Sequence, residues 1–138
     1  MKNLLKVLLL SNIFLLSGCS LYDAYMMADY DTGEYYLVNT VRTEAQKSIH
    51  NCSNQKEIVE SLDNLYSTSL ALKNYTQHIP DNEDAYELAT KLNGLVADTV
   101  KFYEDKDGKV SAYFCKKKLQ IIAESAENIQ QAYGSKPR

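Results

Sequence analysis

The chain has 138 residues, and its 15 Lys and Arg stand against 18 Asp and Glu for a net charge of −3. That length suits one domain with a modest core. The acidic balance argues against nucleic acid as a partner and against polybasic attraction to anionic lipid.

Residues 1–18 begin with Lys2 and Lys6 and continue as an almost wholly aliphatic run from Val7 to Leu16. Charge followed by a short apolar core is the order of a secretory signal peptide. A core of about ten residues is too short to span the ~30 Å of a bilayer as a resting helix.

Leu16-Ser17-Gly18-Cys19 then forms a lipobox, and over residues 1–19 the sequence resembles bacterial lipoproteins. The resemblance implies cleavage before Cys19, a diacylglycerol on its thiol and an acyl chain on the new amino terminus. Several acyl chains, each methylene contributing roughly 0.8 kcal/mol, hold such a protein on its membrane. Ser20 after the cysteine, rather than Asp, implies the periplasmic face of the outer membrane under the enterobacterial sorting rule. Removal of residues 1–18 leaves 120 residues, and with Lys2 and Lys6 gone 13 Lys and Arg face 18 acids, a net charge of −5. The expected membrane contact is therefore the lipid anchor alone.

Residues 19–30 read as a lipidated aromatic tether. Tyr22, Tyr25, Met26 and Asp29 or Tyr30 recur at spacings of three and four, which fits a short amphipathic helix over Ser20 to Ala28, and Tyr35 and Tyr36 follow closely. Tyrosine offers a rigid apolar ring with a polar tip, the chemistry of interfaces. These six residues are the candidate partner-binding surface; the same rings could instead pack back on the domain that follows. The segment 28–45, ADYDTGEYYLVNTVRTEA, also resembles a run in small uncharacterised lipoproteins of tailed phages, which implies a phage or mobile-element setting.

Residues 31–134 read as a helical bundle. Asp31-Thr32-Gly33-Glu34 has the pattern of a capping box, and Val38, Val41, Ala45, Ile49 (or Ser48) and Cys52 form the apolar stripe of a first helix. Ser53 or Asn54 caps a second helix along Ile58, Leu62, Leu65, Ser69, Leu72 and Ile79, which must stop near Pro80. Asp81-Asn82-Glu83-Asp84 opens a third, with stripe residues Ala85, Leu88, Leu92, Leu95, Thr99 and Phe102. Asp105-Lys106-Asp107-Gly108 resembles part of a calcium loop, but with Gly108 sixth, the first and twelfth positions are Tyr103 and Phe114. A helix end with left-handed Gly108 accounts for the same residues. The fourth helix starts near Ser111 and places Cys115, Leu119, Ile122, Ala126, Ile129 and Tyr133 on one face before Gly134. Residues 135–138 read as a disordered tail.

Four helices of about 20 to 26 residues with short links imply an all-α, antiparallel up-down bundle, preceded by the signal-peptide helix and the tether. In that topology the first helix ends where the fourth begins. Cys52 and Cys115 therefore meet, and in an oxidising compartment a disulfide is the default. Closing a loop of that size contributes about 4 kcal/mol on the chain-entropy model.

Catalytic constellations are not found in the sequence. It has no Gly-rich phosphate loop, H-E-x-x-H, G-x-S-x-G, E-x-x-H or C-x-x-C-H, and His50 and His78 stand outside any ligand spacing. The pairs Asp81/Asp84 and Glu124/Glu127 and the run Lys116-Lys117-Lys118 read as solvated helix faces. The expectation is a non-enzymatic lipoprotein without metal or cofactor that binds an envelope protein. With the phage likeness, its sharpest form is superinfection exclusion. An outer-membrane spanin subunit of phage lysis is one alternative, although such a subunit must engage a partner spanning the periplasm and a compact bundle is not an extended rod; an uncharacterised enzyme is the other, for which the sequence gives no motif.

Overall fold

The computed structural model describes residues 28–138, so Cys19, Tyr22, Tyr25, Met26 and the signal segment lie outside the described residues. The described chain is four helices without a strand: α1 (Thr32–Ser48), α2 (Gln55–Gln77), α3 (Glu83–Asp105) and α4 (Ala112–Gly134), with a 3₁₀ turn at Ile49–Asn51. Successive helices adjoin, α1 also packs along α4, and the diagonal pairs stand farther apart. The core runs down the middle of this ring. The closest seams are α1–α4 and α2–α3, and the loosest is α3–α4.

Three of the four helices start where a polar side chain takes over an orphan N–H. Asp31 accepts from the Glu34 N–H at 2.8 Å, Asn54 rather than Ser53 accepts from Lys56 and Glu57, and Ser111 accepts from Phe114 at 3.2 Å. In α1 the buried stripe is Val38, Val41, Ala45 and Ser48, whose hydroxyl donates to the Glu44 carbonyl at 2.7 Å; Ile49 sits half-buried where the helix tightens into the 3₁₀ turn. In α2 the stripe ends on Thr76 rather than Ile79, because the helix stops at Gln77, before the residue that Pro80 restricts.

The α3 stripe is rotated from the expected one. Ala85, Ala89, Leu92, Val96, Thr99 and Tyr103 are buried, while Leu88, Leu95 and Phe102 are half-buried on the flank. Two apolar stripes share Ala85, Leu92 and Thr99, and packing chooses between them. Ala89 and Val96 are fully buried in the core, the Asn93 amide donates to the Ser69 hydroxyl across the close α2–α3 seam at 3.0 Å, and Phe102 is left to stack on Phe114 of α4 at 4.5 Å. At the α3 terminus Asp107 and Gly108 both adopt positive φ, 51° and 72°, and the Gly108 N–H donates to the Tyr103 carbonyl at 2.8 Å. A side chain at Gly108 would also collide with Gln55. All six expected stripe residues of α4 are buried.

Cys52 and Cys115 form a disulfide with Cα atoms 5.7 Å apart, tying the turn after α1 to the first turn of α4. Within residues 135–138, expected as a disordered tail, Lys136 is buried at the opposite end of the bundle. A charged side chain with a buried counter-charge gains an ordered position that tail composition does not reveal.

Candidate functional site

The end of the bundle where the chain enters α1 also collects the end of α2, the start of α3 and the residues after α4. Its centre is a polar cluster. The Glu34 side chain is fully buried, Lys136 Nζ donates to its Oε2 at 2.6 Å, and Asn82 Nδ2 donates to its Oε1. Lys136 Nζ also donates to Asn82 Oδ1 at 2.6 Å. Both carboxylate oxygens are thus engaged, which is the condition under which a buried ion pair is tolerated. Asn82 precedes α3 without capping it with its side chain, which is committed to the pair instead.

Tyr133 lies beneath this cluster, its ring 5.2 Å from Lys136 Nζ and its hydroxyl donating to the Ala85 carbonyl at 2.8 Å. Burial, reinforced by the nearby Glu34 carboxylate, pushes the Tyr133 phenol pKa far above its usual range. The cluster is closed to solvent at Glu34, Asn82, Tyr133 and Lys136. Its chemistry is therefore that of a lock holding four chain segments together.

The entering chain is held from the same side. The Tyr30 N–H donates to the Pro137 carbonyl at 2.7 Å, the Arg138 guanidinium lies 4.8 Å from the Tyr30 ring centre, and Tyr30 and Tyr35 rings are 5.8 Å apart. Among the candidate aromatics, Tyr30 and Tyr35 are thus packed back on the bundle. Tyr36 is 66% exposed. It is joined by a residue that the sequence reading did not single out, Tyr75 of α2, which is 42% exposed. The Tyr75 hydroxyl reaches the α1 backbone at Gly33, where an added methyl would strike it, and Tyr36 follows Gly33 by one turn. A hydrogen bond with the Asp31 carboxylate, then partial burial, raises the Tyr75 phenol pKa.

Glu34 and Lys136 were also missed as a site. One signal existed: the α1 stripe, run back four residues from Val38, reaches Glu34, so helical period alone places a carboxylate on the buried face. Its partner is 102 residues away and has no local signature. Among the described residues no group of three or more His, Cys, Asp or Glu is placed to hold a metal ion, and no helix is long and apolar enough to cross a membrane.

No family model, curated protein or solved structure matches the chain.

Proposed function

We propose that the protein is a lipoprotein anchored through Cys19 to the periplasmic face of the outer membrane, acting without catalysis as a binding module for another envelope protein. The observation that carries this reading is the lipobox Leu16-Ser17-Gly18-Cys19, followed by a tyrosine-rich entry to a disulfide-linked bundle. A Cys52–Cys115 bond suits an oxidising compartment. Tyr36 and Tyr75, exposed at the end of the bundle where α1 begins, are the partner-facing groups together with the sequence candidates Tyr22, Tyr25 and Met26.

The likeness of residues 28–45 to phage lipoproteins makes superinfection exclusion the specific form of this activity: the bundle occupies the periplasmic side of a receptor or penetration component and blocks a second phage. Expression of the gene alone then protects cells, and Cys19→Ser abolishes both lipid labelling and protection. Full protection by the unlipidated variant overturns the role of the anchor. A photo-crosslinker at Tyr36 captures a defined envelope protein; capture of lipid alone overturns the partner reading.

A further inference from the structure

The other end of the bundle carries a surface with different chemistry. Between the first turns of α2 and the last turns of α3 lies an open groove of about 560 Å³. Val59, Leu62, Val100 and Tyr103 supply its apolar lining, and Val59 is 48% exposed, so an aliphatic side chain meets water in a concave setting.

Glu60, Asp63, Glu104 and Asp107 surround that lining, opposed only by Lys56 among the charged lining residues. All four acids are exposed, and none is held in an ion pair among the described residues. Tyr103 supplies a second and independent feature. It is 4% exposed, yet its hydroxyl has no hydrogen-bond partner among the described residues. Buried hydroxyls are ordinarily paired, and this one is left without a partner in the lining of the groove. Burial also raises the phenol's pKa, keeping it a neutral donor.

These features select an occupant. Anionic ligands meet four unneutralised carboxylates, and a purely apolar molecule leaves them unused. The α2 side of the groove runs from Gln55 to Asp63, about 12 Å at 1.5 Å per residue, which is longer than one side chain and matches a short stretch of peptide. We propose that this groove docks a basic segment of a partner protein, one bulky apolar side chain entering beside Val59 and Val100 while flanking lysines or arginines meet Glu60, Asp63, Glu104 and Asp107. The inference rests on the reading of the chain as a binding module and gives the partner its chemistry: apolar at the centre, cationic on both sides.

The test is fluorescence anisotropy of labelled hexapeptides with the full chain at low salt. Lys-Lys-Leu-Phe-Lys-Lys binds saturably, while Glu-Glu-Leu-Phe-Glu-Glu and the anchorless Lys-Lys-Gly-Gly-Lys-Lys bind at least tenfold more weakly. The double variant Glu60→Lys/Asp63→Lys changes only exposed side chains and weakens the first peptide at least tenfold, with its helical circular dichroism unchanged; Val59→Gln weakens it about threefold. Equal binding of the three peptides, or of wild type and the double variant, overturns the proposal. Cys19→Ser leaves peptide binding intact, so loss of the anchor and loss of the groove are separately visible, and crosslinking at Tyr36 reports on neither charge set.

Discussion

Replacing Lys136 by Met removes the ammonium from a carboxylate that has no route to water. In the native chain Glu34 and Lys136 side chains are both fully buried and 2.6 Å apart, with Asn82 bonded to each. After the substitution Glu34 keeps only the Asn82 amide, and its charge loses its compensation. Breaking one side of a buried pair costs about 3–5 kcal/mol, because the remaining charge stays desolvated. Total stability for a domain of this size is about 5–15 kcal/mol, so the loss takes a third or more of it in most of that range. Urea unfolding of the oxidised full chain, followed by helical circular dichroism, measures the change directly. The expected shift in midpoint corresponds to at least 3 kcal/mol, and the melting temperature falls by roughly 10 °C or more. Glu34→Leu combined with Lys136→Met costs less than the sum of the two single changes, since neither charge is then left alone. A Lys136→Met variant within 1 kcal/mol of wild type would falsify the lock.

Reduction of the Cys52–Cys115 bond, or paired substitution by Ala, releases a constraint between residues 63 apart and lowers stability by about 4 kcal/mol; an unchanged melting temperature after confirmed reduction contradicts this. Tyr103→Phe deletes a buried hydroxyl with no partner and is expected to raise stability by up to about 1 kcal/mol, whereas a loss of that size would mean the hydroxyl is bonded in the folded protein. Tyr133 keeps its proton in the folded state far above the ordinary phenol pKa of 10.0, while the unfolded chain releases it near that value. Its contribution is therefore complete below pH 10 and is lost as pH rises beyond it, so Tyr133→Phe flattens the alkaline fall in stability. An identical slope in wild type and variant between pH 10 and 11.5 defeats that assignment.

Local chemistry made the helix ends readable. Asp31, Asn54 and Ser111 each offer an oxygen to a free N–H a few residues on, a signal contained within one turn. The α4 stripe was readable because its competing face is polar, and the disulfide because topology and spacing agreed. The phase of α3 was not, since Leu88 and Ala89, Leu95 and Val96, and Phe102 and Tyr103 offer two apolar faces about 100° apart, and only the α2–α3 approach distinguishes them. The lock at the entry end was hidden for a different reason. Glu34 has the position of a capping-box glutamate, but its backbone N–H serves the cap while its side chain turns inward to a lysine near the far end of the chain. Long-range charge pairing leaves no periodicity to detect. The groove was hidden in the same way: Val59 is off the buried stripe of α2, and its concavity arises only when Val100 and Tyr103 are brought opposite it.

An apolar pair in place of Glu34 and Lys136 would avoid the desolvation of two charges, so stability alone does not account for an ionic lock. What charge adds is selectivity among arrangements. An apolar residue at position 136 would be accepted by any gap in the core, whereas the ammonium is satisfied only where Glu34 and Asn82 converge. Seating Lys136 brings Pro137 to the Tyr30 N–H and Arg138 to the Tyr30 ring, so the last residues of the chain hold the segment through which it enters the bundle. The groove between α2 and α3 lies toward the other end of these helices, Val59 standing 18 residues, about 27 Å at 1.5 Å per residue, from the end of α2 at Gln77. The Lys136 lock therefore fixes the entry of the chain at Tyr30 without touching the groove lining.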